Sequence, residues 1–237
     1  VLSIVSAYVI SVVKYSKLKA QYFTEDYRRE MTNTLAHDLK SPLMAVSGYA
    51  ENLRSGKSPE KNEHYIDSIM QNVEYMDGII QNVLELAKLE DGNVKRDKEE
   101  TELSELTESL LNKYVTETKE RNISVNINGT MKISADREMI SHALENLLSN
   151  AVKFSSDNGH IDISFEKNSF VFENDFNGTL NIKTDELLKP FVRGDENRTG
   201  KKGSGLGLTI AVRILEEHGF KISVDYKNEK FSVRAEL

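Results

Sequence analysis

The sequence predicts a multi-domain protein of two kinds of architecture: a helical hairpin that needs a second copy to close a four-helix bundle, followed by an α/β sandwich. Three observations carry this. Between Ile66 and Ala87 the apolar residues Ile66, Ile69, Val73, Met76, Ile80, Val83 and Ala87 repeat at steps of three and four, the seam of a coiled coil or bundle. After Asp91-Gly-Asn93 the pattern changes to short β-rich runs alternating with amphipathic segments. Ahead of the seam, a helical wheel drawn through His37 sets that residue roughly 165° from the centre of the stripe formed by Leu35, Leu39, Leu43, Val46, Ala50 and Leu53.

The whole chain bounds the answer. Its 237 residues are 38% hydrophobic and 29% charged, enough for one or two globular domains. With no cysteine there is no thiol catalysis and no cysteine-ligated zinc, and the composition fits a reducing compartment. A net charge of −7 argues against nucleic acid as a partner.

Residues 1–13 carry no charge, and Lys14, Lys17 and Lys19 follow them. They are too few to cross a bilayer alone and are expected to be the end of a transmembrane helix whose basic flank faces the cytoplasm. A buried helix or a signal-peptide remnant is the alternative. Residues 14–94 are expected to form a signalling helix and the dimerising hairpin. The first hairpin helix is predicted from about Tyr22 to Arg54. In the connection Ser55-Gly-Lys-Ser-Pro59, Gly56 can end one helix and Pro59 can open the next. Two helices cannot enclose a core, so a homodimer follows.

Residues 95–237 form the second predicted domain. Helices are expected over Leu103–Glu120, Asp136–Phe154 and Leu208–His218. Strands are expected over Ile123–Ile127, Met131–Ser134, His160–Phe165, Phe170–Asn174, Phe220–Asp225 and Phe231–Glu236. Three helices over one sheet make the sandwich. Residues 175–206 lack periodicity and read as a functional lid.

Candidate chemistry sits in three places. His37 faces outward beside Asp38, with Lys40 one turn on, Ser41 next and Pro42 expected to bend the helix. A histidine of ordinary pKa is largely neutral near pH 7, so one ring nitrogen can attack while the other gives its proton to Asp38. On the helix Asp136–Phe154, His142, Asn146, Asn150 and Lys153 share one polar face opposite Ile140, Ala143, Leu144, Leu147, Leu148, Ala151 and Phe154. Asparagine is a mediocre helix former, so two on one face read as ligands. Gly203, Ser204, Gly205, Leu206 and Gly207 lead directly into the helix at Leu208, where free N–H groups meet anions, and Arg193, Arg198, Lys201 and Lys202 add positive charge. No Walker A motif is present, and these glycines do not follow a strand as a dinucleotide fingerprint requires. His64, His160 and His218 show no metal-ligand spacing.

The run Leu35-Ala-His-Asp-Leu-Lys-Ser-Pro-Leu43 resembles the H box of sensor histidine kinases, departing only at Ser41, where threonine or asparagine is usual. Leu144-Glu-Asn-Leu-Leu-Ser-Asn-Ala-Val-Lys-Phe154 resembles the N box of the ATP-binding domain shared by those kinases with gyrase, heat-shock chaperones and mismatch-repair ATPases. Phe191 resembles the F box, and Gly203-Ser-Gly-Leu-Gly-Leu208 the G2 box. The resemblance covers roughly residues 22–237, with the boxes in family order. It implies a Bergerat-type ATP-binding fold, ATP and Mg²⁺ as cofactors, His37 as phosphoacceptor and Asp38 as its base. It also implies Asn150 on magnesium, Lys153 on phosphate and an aspartate of a response regulator as the final acceptor. Where the family carries Asp-x-Gly-x-Gly for the adenine amino group, this chain has Asn174-Asp-Phe-Asn-Gly178. Strand alternation places Asn174 rather than Asp175 at the adenine position. Residues 1–13 and the lysines after them give the expectation of cell-membrane localisation with a cytoplasmic catalytic region, and the resemblance further implies a reverse phosphatase role for Ser41. The other readings are a gyrase- or chaperone-type ATPase and a dimeric signalling scaffold. The ATPase would need a glutamate where Asn146 stands.

Overall fold

The computed structural model describes residues 32–56, 58–90, 97–176, 178, 180, 182–190, 192 and 205–237. Residues 1–13, the expected membrane segment, lie outside them, and among the described residues no helix is long and apolar enough to cross a membrane. The chain divides into two compact units, with the boundary between Asp77 and Gly78.

In the first unit, helix α1 covers residues 32–55 and runs on through Pro42. A proline leaves only one backbone bond unmade, and the helix continues on both sides. Gly56 ends it at φ +61°, with its N–H donating to the Leu53 carbonyl at 3.2 Å. A Cβ there would meet nothing within 4 Å, so the left-handed backbone rather than crowding calls for glycine. Pro59 opens a 3₁₀ turn, Pro59–Lys61, that feeds helix α2, Asn62–Glu90.

Which faces are covered differs from expectation. On α1 Asp38 and Pro42 are buried, whereas Leu43 and Met44 are 55% and 64% exposed and Ala50 is also exposed. On α2 the covered row is Tyr65, Ser68, Asn72, Tyr75, Ile79, Asn82 and Leu86. The predicted seam, one residue further on, alternates between exposed (Ile66, Val73, Ile80, Ala87) and half-buried (Ile69, Met76, Val83). The apolar faces are therefore wider than one chain covers. Where α1 meets the start of α2, the Tyr49 ring lies 5.8 Å from that of Tyr65 and 6.1 Å from that of His64.

The second unit contains the end of α2 and the sandwich. Its elements are β1 (Lys98–Glu102), α3 (Leu103–Leu111), a 3₁₀ turn at Asn112–Tyr114, α4 (Val115–Glu120), β2 (Ser124–Gly129) and β3 (Lys132–Asp136). Then follow α5 (Arg137–Phe154), β4 (His160–Phe165), β5 (Ser169–Asp175), a 3₁₀ turn at Thr184–Leu188, α6 (Gly207–Glu217), β6 (Lys221–Lys227) and β7 (Lys230–Glu236). The expected single helix over 103–120 is thus split at Asn112–Tyr114. The strands form two sheets rather than one: β1 pairs antiparallel with β3, and a five-stranded sheet runs β2-β4-β5-β7-β6. Only β2 and β4 are parallel. β1 reads Lys-Glu-Glu-Thr-Glu and buries Thr101 alone, so no apolar alternation announces it.

Alternation along β4 and β5 sends Ile161, Ile163, Phe165, Phe170 and Phe172 to the core face, where Phe172 stands between Ile163 and Val233 in register. Asp162, Ser164 and Glu173 fall on the opposite face. Helix α5 buries Ile140, Ala143, Leu144, Leu147, Leu148, Ala151 and Val152 and packs on α3, α6 and β5. Asp136 caps its start, accepting from the Met139 N–H at 3.1 Å. These two features hold the polar face of α5 at a fixed height above the sheet.

Candidate active site

On α1 the His37 side chain is 84% exposed and the adjacent Asp38 only 8%, with His37 Nδ1 3.6 Å from the Asp38 carboxylate. That separation exceeds a hydrogen bond, so the expected tautomer-fixing pair is aligned but not closed. The direction is informative: Nδ1 faces the carboxylate, which leaves Nε2 as the nitrogen available to attack. Lys40 and Ser41 are exposed on the same helix.

In the second unit the polar face of α5 is intact. Asn146 and Asn150 are half-buried, and Asn146 Nδ2 is a buried donor with no hydrogen-bond partner among the described residues. An unsatisfied buried amide costs about 1–3 kcal/mol, a penalty that a bound water or ligand atom would relieve. Gly207, the first residue of α6, sits against this pair: a Cβ on it would lie 2.9 Å from Asn146 Oδ1 and 3.9 Å from Asn150 Nδ2. With any side chain at 207, the Asn146 amide would have to turn aside. Leu206, at the start of α6, makes no side-chain hydrogen bond to the helix, and a helix N-terminus presents N–H groups suited to an anion. Gly205 takes φ +67°, Leu206 is fully buried and Leu208 is half-buried.

At the end of α5, Lys153 Nζ lies 5.2 Å from the centroid of the Phe154 ring, and that ring stacks on Phe176 at 6.2 Å. On β5, Asn174 is 3% exposed on the core face, and its Nδ2 donates to the Asp175 carbonyl at 3.3 Å. Asp175 is engaged elsewhere, accepting from the His160 N–H at 2.9 Å and lying 3.1 Å from His160 Nδ1. The inward amide is therefore that of Asn174, as the strand alternation predicts. Phe176, two residues on, is buried among Phe154, Tyr226 and Phe231, where the family pattern has glycine.

The other histidines have partners. His142, on the polar face of α5, makes a close ion pair with Glu85. His218 donates through Nδ1 to the Ile214 carbonyl at 2.7 Å and accepts from the Asp136 N–H at 3.3 Å, joining the end of α6 to the start of α5. Among the described residues no cluster of histidine and carboxylates could hold a metal ion alone. Phe191, Arg193, Arg198, Lys201, Lys202, Gly203 and Ser204 lie outside the described residues. Two contributors were not read from the sequence. Buried Thr209 ties α6 to the segment after β5 through Leu188, at 3.4 Å, and Arg121 reaches the end of α5.

The same two parts define a family. Residues 27–92 match the His Kinase A (phospho-acceptor) domain, and residues 135–237 match the histidine kinase-, DNA gyrase B-, and HSP90-like ATPase. The chain belongs to the histidine kinases. Among its relatives, the sensor protein KdpD of Clostridium acetobutylicum is 30% identical over 93% of this chain and 26% of its own length. Histidine protein kinase SaeS of Staphylococcus aureus is 30% identical over 83% of this chain and 59% of its own. The chain therefore spans only part of these kinases. In fold it is similar to the Acinetobacter baumannii histidine kinase AdeS, with a TM-score of 0.68 at 19% identity, covering 85% of this chain and 96% of that one. It is likewise similar to histidine kinase ThkA in complex with response regulator protein TrrA, with a TM-score of 0.67 at 22% identity over 88% and 60%.

Proposed function

We propose that this chain is the catalytic core of a membrane-linked, homodimeric sensor histidine kinase that phosphorylates His37 from ATP and passes the phosphoryl group to an aspartate of a response regulator. The single observation that carries the reading is the pairing of an exposed imidazole on one folded unit with an unsatisfied amide site, shaped by Gly207, on the other.

In the proposed reaction Nε2 of neutral His37 attacks the γ-phosphorus in line. The N–P bond forms, the bond from phosphorus to the β,γ-bridging oxygen breaks, ADP leaves, and the Nδ1 proton passes to Asp38. Asp38 needs to close only the gap between 3.6 Å and hydrogen-bond length. Lys153 and the first N–H groups of α6 would hold polyphosphate, with Arg193, Arg198 and Lys202 as further cations and Phe191 beside them. Asn174 would accept the hydrogen bond of the adenine amino group.

The donor set suits Mg²⁺ brought in by the nucleotide. Asn150 offers one neutral amide oxygen, and a hard, octahedral cation that keeps its waters and phosphate ligands needs few protein atoms. When bound, the ion neutralises phosphate charge. Asn146, standing where a water-activating carboxylate would be needed, supports transfer to a protein nucleophile over hydrolysis.

The exposed apolar rows of α1 and α2 support a homodimer, since each chain leaves a face uncovered. Residues 1–13 followed by three lysines support attachment to a membrane with the catalytic region on the cytoplasmic side. Ser41, exposed one turn after His37, could place water for dephosphorylation of the regulator.

Incubation with γ-labelled ATP tests the reading. Acid-labile, base-stable label on the protein that disappears in His37→Gln is the expected result. Released phosphate without label would instead make the chain an ATPase, and neither would leave a scaffold.

A further inference from the structure

Helix α5 ends without the usual device. Its C-cap Ser155 is extended, at φ −62° and ψ 149°, so no left-handed residue follows to satisfy the last carbonyls. A side chain from another part of the fold does so. Arg121, at the junction of α4 and β2 and only 16% exposed, donates through Nη1 to the Val152 carbonyl at 2.6 Å and through Nη2 to the Ser155 carbonyl. Its Nε pairs with Asp157 at 2.8 Å, and Nη1 also approaches Glu117 at 3.4 Å.

The backbone repeats the connection. The Arg121 carbonyl accepts from the Asn158 N–H at 2.9 Å, Asn122 bonds Asn158 through side chains at 2.8 Å, and the Ser124 N–H donates to the Gly159 carbonyl at 3.0 Å. The segment so held is tied onward to the end of β5, where Ser156 N–H donates to the Asp175 carbonyl at 2.9 Å and Ser155 bridges Phe176. Only a guanidinium presents enough divergent N–H groups to meet two carbonyls and a carboxylate together, and its charge opposes the negative end of the helix.

We infer that Arg121 is a positioning residue for nucleotide binding, acting by clamping the carbonyls of Val152 and Ser155 and thereby fixing the direction of Lys153 between them. This rests on the reading of α5 as the nucleotide helix. The four bonds of the Arg121 side chain reach neither the polar face of α5 nor Gly207; its effect passes through two carbonyl oxygens. Without it the Val152 and Ser155 carbonyls lose their clamp and the last turn of α5 loosens around Lys153, while Asn150 and Asn146, one and two turns earlier, keep their directions.

The test is a double-mutant cycle on ATP-Mg²⁺ affinity by calorimetry, using the full chain with Arg121→Ala, Lys153→Ala and both together, with Arg121→Lys as the milder variant should the alanine form fail to fold. Arg121→Ala is expected to weaken binding roughly tenfold, Lys153→Ala by a similar factor, and the pair by little more than either alone. Arg121→Lys is expected to fall close to Arg121→Ala, because an ammonium cannot span both carbonyls. Added guanidinium at low millimolar concentration should restore affinity to Arg121→Ala but not to Lys153→Ala. Additive losses in the cycle, or full affinity in either Arg121 variant despite a lowered melting temperature, would overturn the inference and leave Arg121 purely structural. Failure of the unaltered chain to bind ATP would sink the proposed function instead.

Discussion

Gly207 and Asn146 face each other so closely that a single methyl group on the glycine would come within 2.9 Å of the amide oxygen. The start of α6 is thereby pressed against the Asn146 amide, whose Nδ2 is a buried donor without a partner among the described residues. Gly207→Ala should reveal whether that closeness serves stability or binding. Alanine gains up to about 1 kcal/mol of helix propensity, and a flexible Asn146 side chain can turn aside at a cost of about 1 kcal/mol. The melting temperature should stay within a few degrees of the parent, while nucleotide affinity falls roughly tenfold as Asn146 is displaced. Thermal shift with and without ATP-Mg²⁺ reads both quantities at once.

Asn174→Asp should act in the opposite direction. A carboxylate at this buried position strengthens a hydrogen bond from an exocyclic amino group, since charge-assisted bonds are about twice as strong as neutral ones. Calorimetry should show tighter ATP binding and a larger preference for ATP over GTP. The unliganded protein should melt lower, because an unpaired carboxylate is costly to bury. Loss of ATP affinity in this variant would place the base elsewhere.

The exposed row Ile66, Val73 and Ile80 gives a direct test of association. Val73→Asp with Ile80→Asp puts two charges where each apolar side chain would gain about 1.5–3 kcal/mol on burial. Sedimentation should show the chain shifting from dimer to monomer, while nucleotide binding by the sandwich is retained. A dimer that survives both changes would mean that another face holds the copies together.

Tyr114 sets a limit at alkaline pH. Desolvation at its half-buried position raises its pKa above the ordinary 10.0, against a smaller opposing hydrogen bond with Ser149 of α5; the Glu145 and Glu117 carboxylates act with the desolvation and Lys113 against it. A folded-state pKa above the unfolded value means that the unfolded chain releases this proton first. The contribution to stability is therefore complete below pH 10 and is lost as pH rises through the folded value. Tyr114→Phe should flatten the fall in melting temperature above pH 10, at the expense of the Ser149 bond at neutral pH.

The polar face of α5 was legible because side chains that share a helix face repeat at helical spacing, and Asn146, Asn150 and Lys153 interrupt an otherwise apolar pattern. Asn174 could be placed by counting along β5, since side chains alternate strictly there. The covered row of α2 was harder. Periodicity finds the middle of an apolar face, whereas burial depends on which edge of that face meets a neighbour, and the row shifted by one residue. β1 escaped for a different reason: Lys-Glu-Glu-Thr-Glu has no apolar alternation, and its pairing with β3 rests on backbone bonds and on polar contacts such as Glu100 with Lys132. Arg121 was invisible because its importance lies in two carbonyls more than thirty positions away, and nothing in local spacing reports such a contact.

In the proposed homodimer, the greasy side chains that one copy leaves in water along α1 and α2 would tie the hairpin's endurance to abundance. Dilution should lower the temperature at which its helices melt, whereas the sandwich, with a core of its own, should melt at the same point at any concentration.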